Sequence, residues 1–254
     1  MSPVIALAGE SAWIDRLSAW LRARDFAVAR CEEPGRFIDQ LLDQYPALLL
    51  ADSRAPHWTF WITALKTEQA TRRIPALAVG EDETARQQAL AAGADAYLMA
   101  SEPGEPLLQA IRDHARIPDP DTLERLRCQC QEALPPLARL GVERFNAGDY
   151  YAQHDAFEAQ WMAESGPVRD LYRAILQVGV AYYHITRGNH AGGLKMLRRS
   201  AQWFAALPDE CQGVDARQLR ADASRARAAL QAMTPAEIAS FDRALLAPVK
   251  LIDG

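Results

Sequence analysis

Five short apolar runs alternate with amphipathic segments across the first 117 residues, and that alternation leaves few folds open. The runs fall at residues 4–8, 26–29, 48–51, 76–79 and 96–99. Between and after them lie segments 12–23, 36–42, 58–67, 83–92 and 107–115, which read as amphipathic helices. Strand then helix, repeated five times, predicts a parallel sheet covered on both faces. Each run is almost unbroken in apolar character, as strands buried on both sides must be. Right-handed crossovers then leave few topologies for this α/β unit.

Residues 117–122, Ile-Pro-Asp-Pro-Asp-Thr, end that pattern. Two prolines within three residues cannot continue the preceding helix. Asp121 or Thr122 is suited to cap the next one. The expected organisation is one domain over 1–117, a linker over 118–122 and a second domain over 123–254. No strand pattern appears after the linker. Segments 123–133, 137–147, 149–163, 168–187, 191–206, 216–232 and 236–246 all read as helices, which predicts an all-α bundle of five to seven. Thr234-Pro235-Ala236-Glu237 is a helix start signal, with a capping Thr, Pro at the first position and Glu reaching back.

At 254 residues the chain has room for two domains. Its net charge is −5, with 12 basic and 16 acidic residues through Ile117 and 16 and 17 in the remainder. Neither half carries the positive excess of a nucleic-acid binder. Lys195, Arg198 and Arg199 read as a solvated basic face. No apolar run approaches the roughly 20 residues needed to span a bilayer. The first residues show no basic leader before an apolar segment, so the expected location is the cytoplasm. Cys128-x-Cys130 lacks the two-residue spacing of zinc knuckles and redox motifs. With Cys31 and Cys211 it reads as four reduced thiols.

Asp52 closes the third apolar run, at the sheet edge where such folds place their chemistry. Three stretches, Asp52-Ser53-Arg54-Ala55-Pro56, Arg73-Ile74-Pro75 and Ala91 through Leu98, resemble the response-regulator receiver family across the whole first half. The resemblance implies a flavodoxin-like (βα)5 fold, Asp52 as the phosphoacceptor position and an acidic pair after the first strand that holds Mg²⁺. Here that pair is Gly9 and Glu10. The Ser or Thr at the end of the fourth strand is Gly80, and the Lys after the fifth is Ala100. Phosphorylating a carboxylate adds about two negative charges, which need a divalent cation and an ammonium beside them. The half therefore reads as a phosphorylation-incompetent pseudo-receiver, with Asp52 and Glu10 as remnants. A protein partner or a second copy of the chain is expected to bind through it. Trp58 and Trp61 share one face of its third helix.

In the second half, His154 and Glu158 lie one turn apart on a helix face, with Trp161 beyond them. Arg173, Gln177 and His184 fall along one face of the next helix. Phe145-Asn146-x-Gly148, His154-Asp155-x-x-Glu158-x-x-Trp161 and Gln177 through His184-x-x-Arg187-Gly188-Asn189 resemble the family called domain of unknown function 309, over about residues 137–205. Asp155 stands where Glu is more usual. That family is often labelled a metal-dependent hydrolase, which the resemblance implies as one activity. The candidate pocket is His154, Glu158, Trp161, Arg173, Gln177, His184 and Arg187. His154, Glu158 and His184 are the candidate ligands of a divalent metal, zinc or magnesium, with Glu143 next. The competing reading makes the same residues a polar network that fixes helix packing. The expected function is regulation or interaction, with a small-molecule ligand in the pocket. The alternative is a metal-dependent hydrolase.

Overall fold

The computed structural model describes residues 2–252. The chain divides into two compact units between Ile117 and Pro118. In the first, β1 (Val4–Ala8), β2 (Ala27–Cys31), β3 (Leu48–Asp52), β4 (Ala76–Gly80) and β5 (Ala96–Met99) form one parallel sheet in the order β2-β1-β3-β4-β5. This is the flavodoxin-like doubly wound order, which reverses direction between β1 and β3. Its helices are α1 (Ala12–Arg22), α2 (Phe37–Gln44), α3 (Trp58–Thr67), α4 (Glu83–Ala91) and α5 (Glu105–His114).

Alternation along the strands sorts the core into two chemistries. On one face Ile5, Leu7, Leu48, Leu50, Leu77 and Val79 meet α1 and α5. On the other, Ala6, Ala8, Ala51, Ala76 and Ala78 leave room for Phe37, Trp58 and Trp61 to lie close to the sheet. Phe37 and Trp61 meet edge to face with centroids 5.0 Å apart. Trp58 and Trp61 are therefore core, and Phe60 is the exposed aromatic of α3.

The second unit contains α6 (Pro120–Cys130), α7 (Pro136–Asn146), α8 (Tyr150–Ala163), α9 (Arg169–Thr186), α10 (His190–Phe204) and α11 (Ala216–Gln231). From α7 to α11 each helix packs on the next, and α9 buries Leu171, Tyr172, Ile175, Val178 and Tyr182 at the centre. Gly141 lets α7 approach α8, because a Cβ there would stand 2.6 Å from the wholly buried Phe157 ring. Gly141→Ala is expected to cost roughly 1–3 kcal/mol in urea unfolding. A change under about 0.5 kcal/mol would mean that the two helices part without penalty. Among the described residues, no helix is long and apolar enough to cross a membrane.

The structure departs from the sequence expectations in four places. The second unit is helical, as read, with one addition. Two strands, β6 (Glu210–Cys211) and β7 (Val214–Asp215), form an antiparallel hairpin, and residues 249–252 run beside β7. Asp215 N donates to the Lys250 carbonyl at 3.0 Å and Ile252 N to the Gly213 carbonyl at 2.7 Å. Two-residue strands are too short to display alternation. The turn residues Gln212 and Gly213 have φ of 51° and 73°, left-handed at both positions as tight hairpins favour. Secondly, Cys130 and Cys211 form a disulfide across 81 positions, leaving only Cys31 and Cys128 as thiols. The fold brings the pair together, and no local spacing announces it.

Thirdly, Asp119 caps α6 in place of Asp121 or Thr122. Its carboxylate accepts from Thr122 N at 2.8 Å, so the helix begins inside the expected linker. Lastly, the Glu237 carboxylate does accept from Thr234 N at 2.7 Å, as the start signal implies. The chain then forms two short 3-10 segments, Pro235–Ser240 and Arg243–Leu245, in place of the helix expected over 236–246.

Candidate functional site

Asp52 ends β3 with no exposed surface, and a carboxylate so placed needs partners. Both of its oxygens have them. Oδ2 accepts from Ser11 Oγ at 2.7 Å. Oδ1 accepts from the Arg54 backbone N at 3.1 Å and from Arg54 Nε at 2.6 Å. Ser11 also caps α1, accepting from Ile14 N at 3.1 Å. Arg54 reaches further, with Nη1 donating to Glu81 Oε1 at 2.9 Å and to the Ser101 carbonyl at 3.2 Å. Its guanidinium lies 4.7 Å from the Trp13 ring centroid. One side chain thus ties the end of β3 to the segments that come after β4 and β5. Ala100 supplies no cation to this edge; Arg54 does.

Glu10 is exposed at the same edge, after Gly9. The place of the missing Ser or Thr is not vacant. A Cβ on Gly80 would collide with Ser53 Oγ and with the Tyr97 hydroxyl, which together fill that space. The Tyr97 hydroxyl is buried and finds no hydrogen-bond partner among the described residues. Sequence reasoning located this edge through Asp52 but missed Arg54, Ser11 and Tyr97. The signal was an arginine two residues after the aspartate, within reach of its carboxylate.

In the second unit His154 and His184 are half-buried. His154 Nδ1 lies 3.3 Å from Asp155 Oδ1, with 39% of its side chain exposed. Glu158 is exposed. His184 Nδ1 lies 3.1 Å from Asn189 Nδ2, and Asn189 Oδ1 caps α10 by accepting from Gly192 N at 2.9 Å. Among the described residues, no group of three His, Cys, Asp or Glu side chains is placed to hold a metal ion. The expected ligand set His154, Glu158 and His184, with Glu143 as reserve, is therefore not assembled. Each histidine faces a neighbour on its own stretch of chain.

The residues that do converge are Trp161, Arg173 and Trp203. The Arg173 guanidinium lies 4.4 Å from both ring centroids, and that of Arg169 lies 5.4 Å from Trp161. Arg173 Nη1 donates to Asp170 Oδ1 at 3.4 Å. Burial raises the Asp170 pKa, and Arg173 offsets part of that rise. A cation held between two indoles is a packing device as well as a polar one. Trp203 escaped notice because it lies outside the motif, in the last turns of α10. The Gln177 carboxamide oxygen is buried and finds no hydrogen-bond partner among the described residues, and Arg187 is exposed, 5.8 Å from the Tyr183 ring centroid.

Asn146 has a structural part as well. Its Nδ2 donates to the Val249 carbonyl at 2.9 Å and its Oδ1 accepts from Val249 N at 2.8 Å. The carboxamide pairs with distant backbone as a neighbouring strand would. Phe145 beside it packs on Tyr150 and Tyr182, with centroids 5.4 and 5.5 Å away.

Comparison with known proteins finds a domain of unknown function, DUF309, at residues 138–196, within this helical unit. A curated relative from Aquifex aeolicus (strain VF5), described as an uncharacterized protein, is 24% identical over 78 residues. The match takes in 30% of this chain and 23% of that protein, so the chain spans about a quarter of the relative's length. Similar solved structures include response regulators and receiver domains. The chemotaxis protein CheY4 of Vibrio cholerae is 15% identical with a TM-score of 0.41, over 45% of this chain and 99% of that one. The receiver domain of a Pseudomonas aeruginosa PAO1 sensor histidine kinase, with a magnesium ion in its active-site cleft, is 18% identical with a TM-score of 0.41, over 45% and 98%. The chain joins a unit with the doubly wound strand order β2-β1-β3-β4-β5 to a helical unit in which residues 138–196 match the DUF309 domain.

Proposed function

We propose that this is a cytoplasmic regulatory or interaction protein whose receiver-like unit works without accepting a phosphoryl group. The supporting observation is that the Asp52 carboxylate is already occupied. Attack on a phosphoryl donor needs a carboxylate oxygen facing an open cleft that a cation has charged. Asp52 instead accepts three hydrogen bonds, one from a guanidinium nitrogen at 2.6 Å, and has no exposed surface. Arg54 would have to leave before the oxygen could react, and Ala100 offers no replacement ammonium. A fixed ion pair suits a unit that presents one surface continuously to a protein partner or a second copy of the chain. Phe60, Leu90, Met99 and Ile117 are its large exposed apolar residues among those described. The net charge of −5 argues against nucleic acid as that partner. In the helical unit, the stack of Trp161, Arg173 and Trp203 is where a small-molecule ligand would be met. The metal-dependent hydrolase alternative has no comparable observation behind it.

Incubation with acetyl phosphate and Mg²⁺, then intact-mass measurement, is expected to leave the protein unmodified. A near-stoichiometric, hydroxylamine-labile phosphoryl adduct mapped to Asp52 overturns the proposal.

A further inference from the structure

We infer that the Cys130–Cys211 disulfide is a redox-operated clasp on α6, a thiol–disulfide exchange site served by a dithiol partner. Three observations carry it. The helix itself is weakly held. Of its eleven residues only Leu126 and Cys130 are buried, and Glu124, Arg125 and Arg127 are exposed. Helices shorter than about 12 residues are marginal in water without tertiary support.

The remaining attachments crowd around the disulfide. Gln129 Oε1 accepts from Val168 N at 3.2 Å, and Gln129 Nε2 donates to Glu164 Oε1 at 3.3 Å. The Gln129 carbonyl accepts from Gln212 Nε2 at 3.2 Å, and the Cys130 carbonyl accepts from Gln212 N at 2.6 Å. These ties sit in the final turn, at residues 129 and 130. The earlier turns have Leu126 as their one buried anchor.

The hairpin side is also conditional. Gln212 holds a left-handed φ of 51°, a conformation a glutamine adopts at a cost. It is kept there by Tyr172, whose hydroxyl donates to Gln212 Oε1 at 2.8 Å, and by the contacts to α6. The S–S bond fastens two elements that each lean on the other, across 81 positions.

Opening the clasp is a balanced exchange. A thiolate of a Cys-x-x-Cys dithiol attacks one sulfur, forming a mixed disulfide and releasing the other as thiolate. The second thiol of the partner then displaces the mixed disulfide. Two electrons and two protons end on Cys130 and Cys211, and the partner leaves as a disulfide. A disulfide donor of the same class runs the reaction in reverse. Cys130 is the point of entry, being the last residue of α6 and 9% exposed, whereas Cys211 is wholly buried. Cys128 stands two residues away and points to another side of the helix.

The test uses the full chain with Cys128→Ser, which leaves Cys31 as the other thiol. Hydrogen exchange is monitored before and after reduction by dithiothreitol, and again in a variant also carrying Cys130→Ser and Cys211→Ser. Residues 120–131 are expected to exchange roughly tenfold or more faster once the bond is gone, and to lose more protection than α9 does. Unchanged protection of 120–131 overturns the inference. So does an equal loss in α9 and in 120–131, which would make the bond a staple of the whole unit with no separate hold on α6. Failure of a disulfide donor to re-form the bond in the reduced protein overturns it too.

Discussion

Arg54→Met is expected to destabilise the receiver-like unit by roughly 2–3 kcal/mol in denaturant unfolding. The variant keeps an aliphatic stem over Trp13 and removes the charge that faces Asp52. A carboxylate with no exposed surface is left with Ser11 Oγ and one backbone N–H. Breaking a fully buried ion pair from one side costs roughly 3–5 kcal/mol. Arg54 is 30% exposed, so part of that loss is relieved by solvent. A double-mutant cycle identifies the source. Asp52→Asn with Arg54→Met is expected to lose less than the sum of the single changes, with a coupling of roughly 1 kcal/mol or more. Additive losses would show that the two side chains do not depend on each other. Mg²⁺ is expected to raise the unfolding midpoint of Arg54→Met and not that of the unaltered protein. With the guanidinium gone, Asp52, Glu10 and Glu81 are acidic groups left to attract a cation at that edge.

Replacing Cys130 and Cys211 together by serine is expected to lower the helical unit's thermal midpoint by roughly 10 °C. The disulfide closes a long loop and contributes about 3 kcal/mol, on the common account that it restricts the unfolded chain. For a unit of this size each kcal/mol moves the midpoint by about 4 °C. Scanning calorimetry reads the effect, with the receiver-like unit's transition as an internal reference. Reduction of the unaltered protein should shift the same transition by a similar amount, and Cys128→Ser should shift neither. A shift under about 2 °C would mean that Leu126 and the Gln212 hydrogen bonds secure the unit unaided. Cys31 will not obscure the thiol chemistry, since burial pushes its thiol up to about 12.

The first unit was legible because its signal is periodic. Unbroken apolar runs at regular spacing specify buried parallel strands, and residues 4–8 and 76–79 lie in strands nearly as read. The helices of the second unit were legible for the same reason, with ends mostly within a residue or two. What escaped is what periodicity does not encode. The hairpin at 210–215 is too short to alternate. The cysteine pair depends on three-dimensional proximity. At the sheet edge the sequence showed which groups a receiver would lack at Gly80 and Ala100. It did not show that Tyr97 and Ser53 close over one gap, or that Arg54 supplies a cation to that edge. In the helical unit the residues read as one pocket were His154, Glu158, Trp161, Arg173, Gln177, His184 and Arg187. Trp161 and Arg173 do meet, and the Trp203 ring that joins them lies too far along the chain for a short motif to mark it.

The carboxamide of Asn146 and the backbone of Val249 meet across 103 positions, and residues 250–252 are laid against the 213–215 turn. This gives synthesis on the ribosome a fixed order. The receiver-like unit, whose strands join through nearby crossovers, can finish folding while the helical unit is still emerging, as amino-terminal domains generally do. The helical unit completes these contacts only when the segment at 249–252 is free to dock, so the Asn146 carboxamide lacks that partner until then. These contacts wait on residues 249–252 and not on the arrival of the unit's own helices. A pause or premature release before residue 249 would yield a finished first unit attached to an unfinished second one.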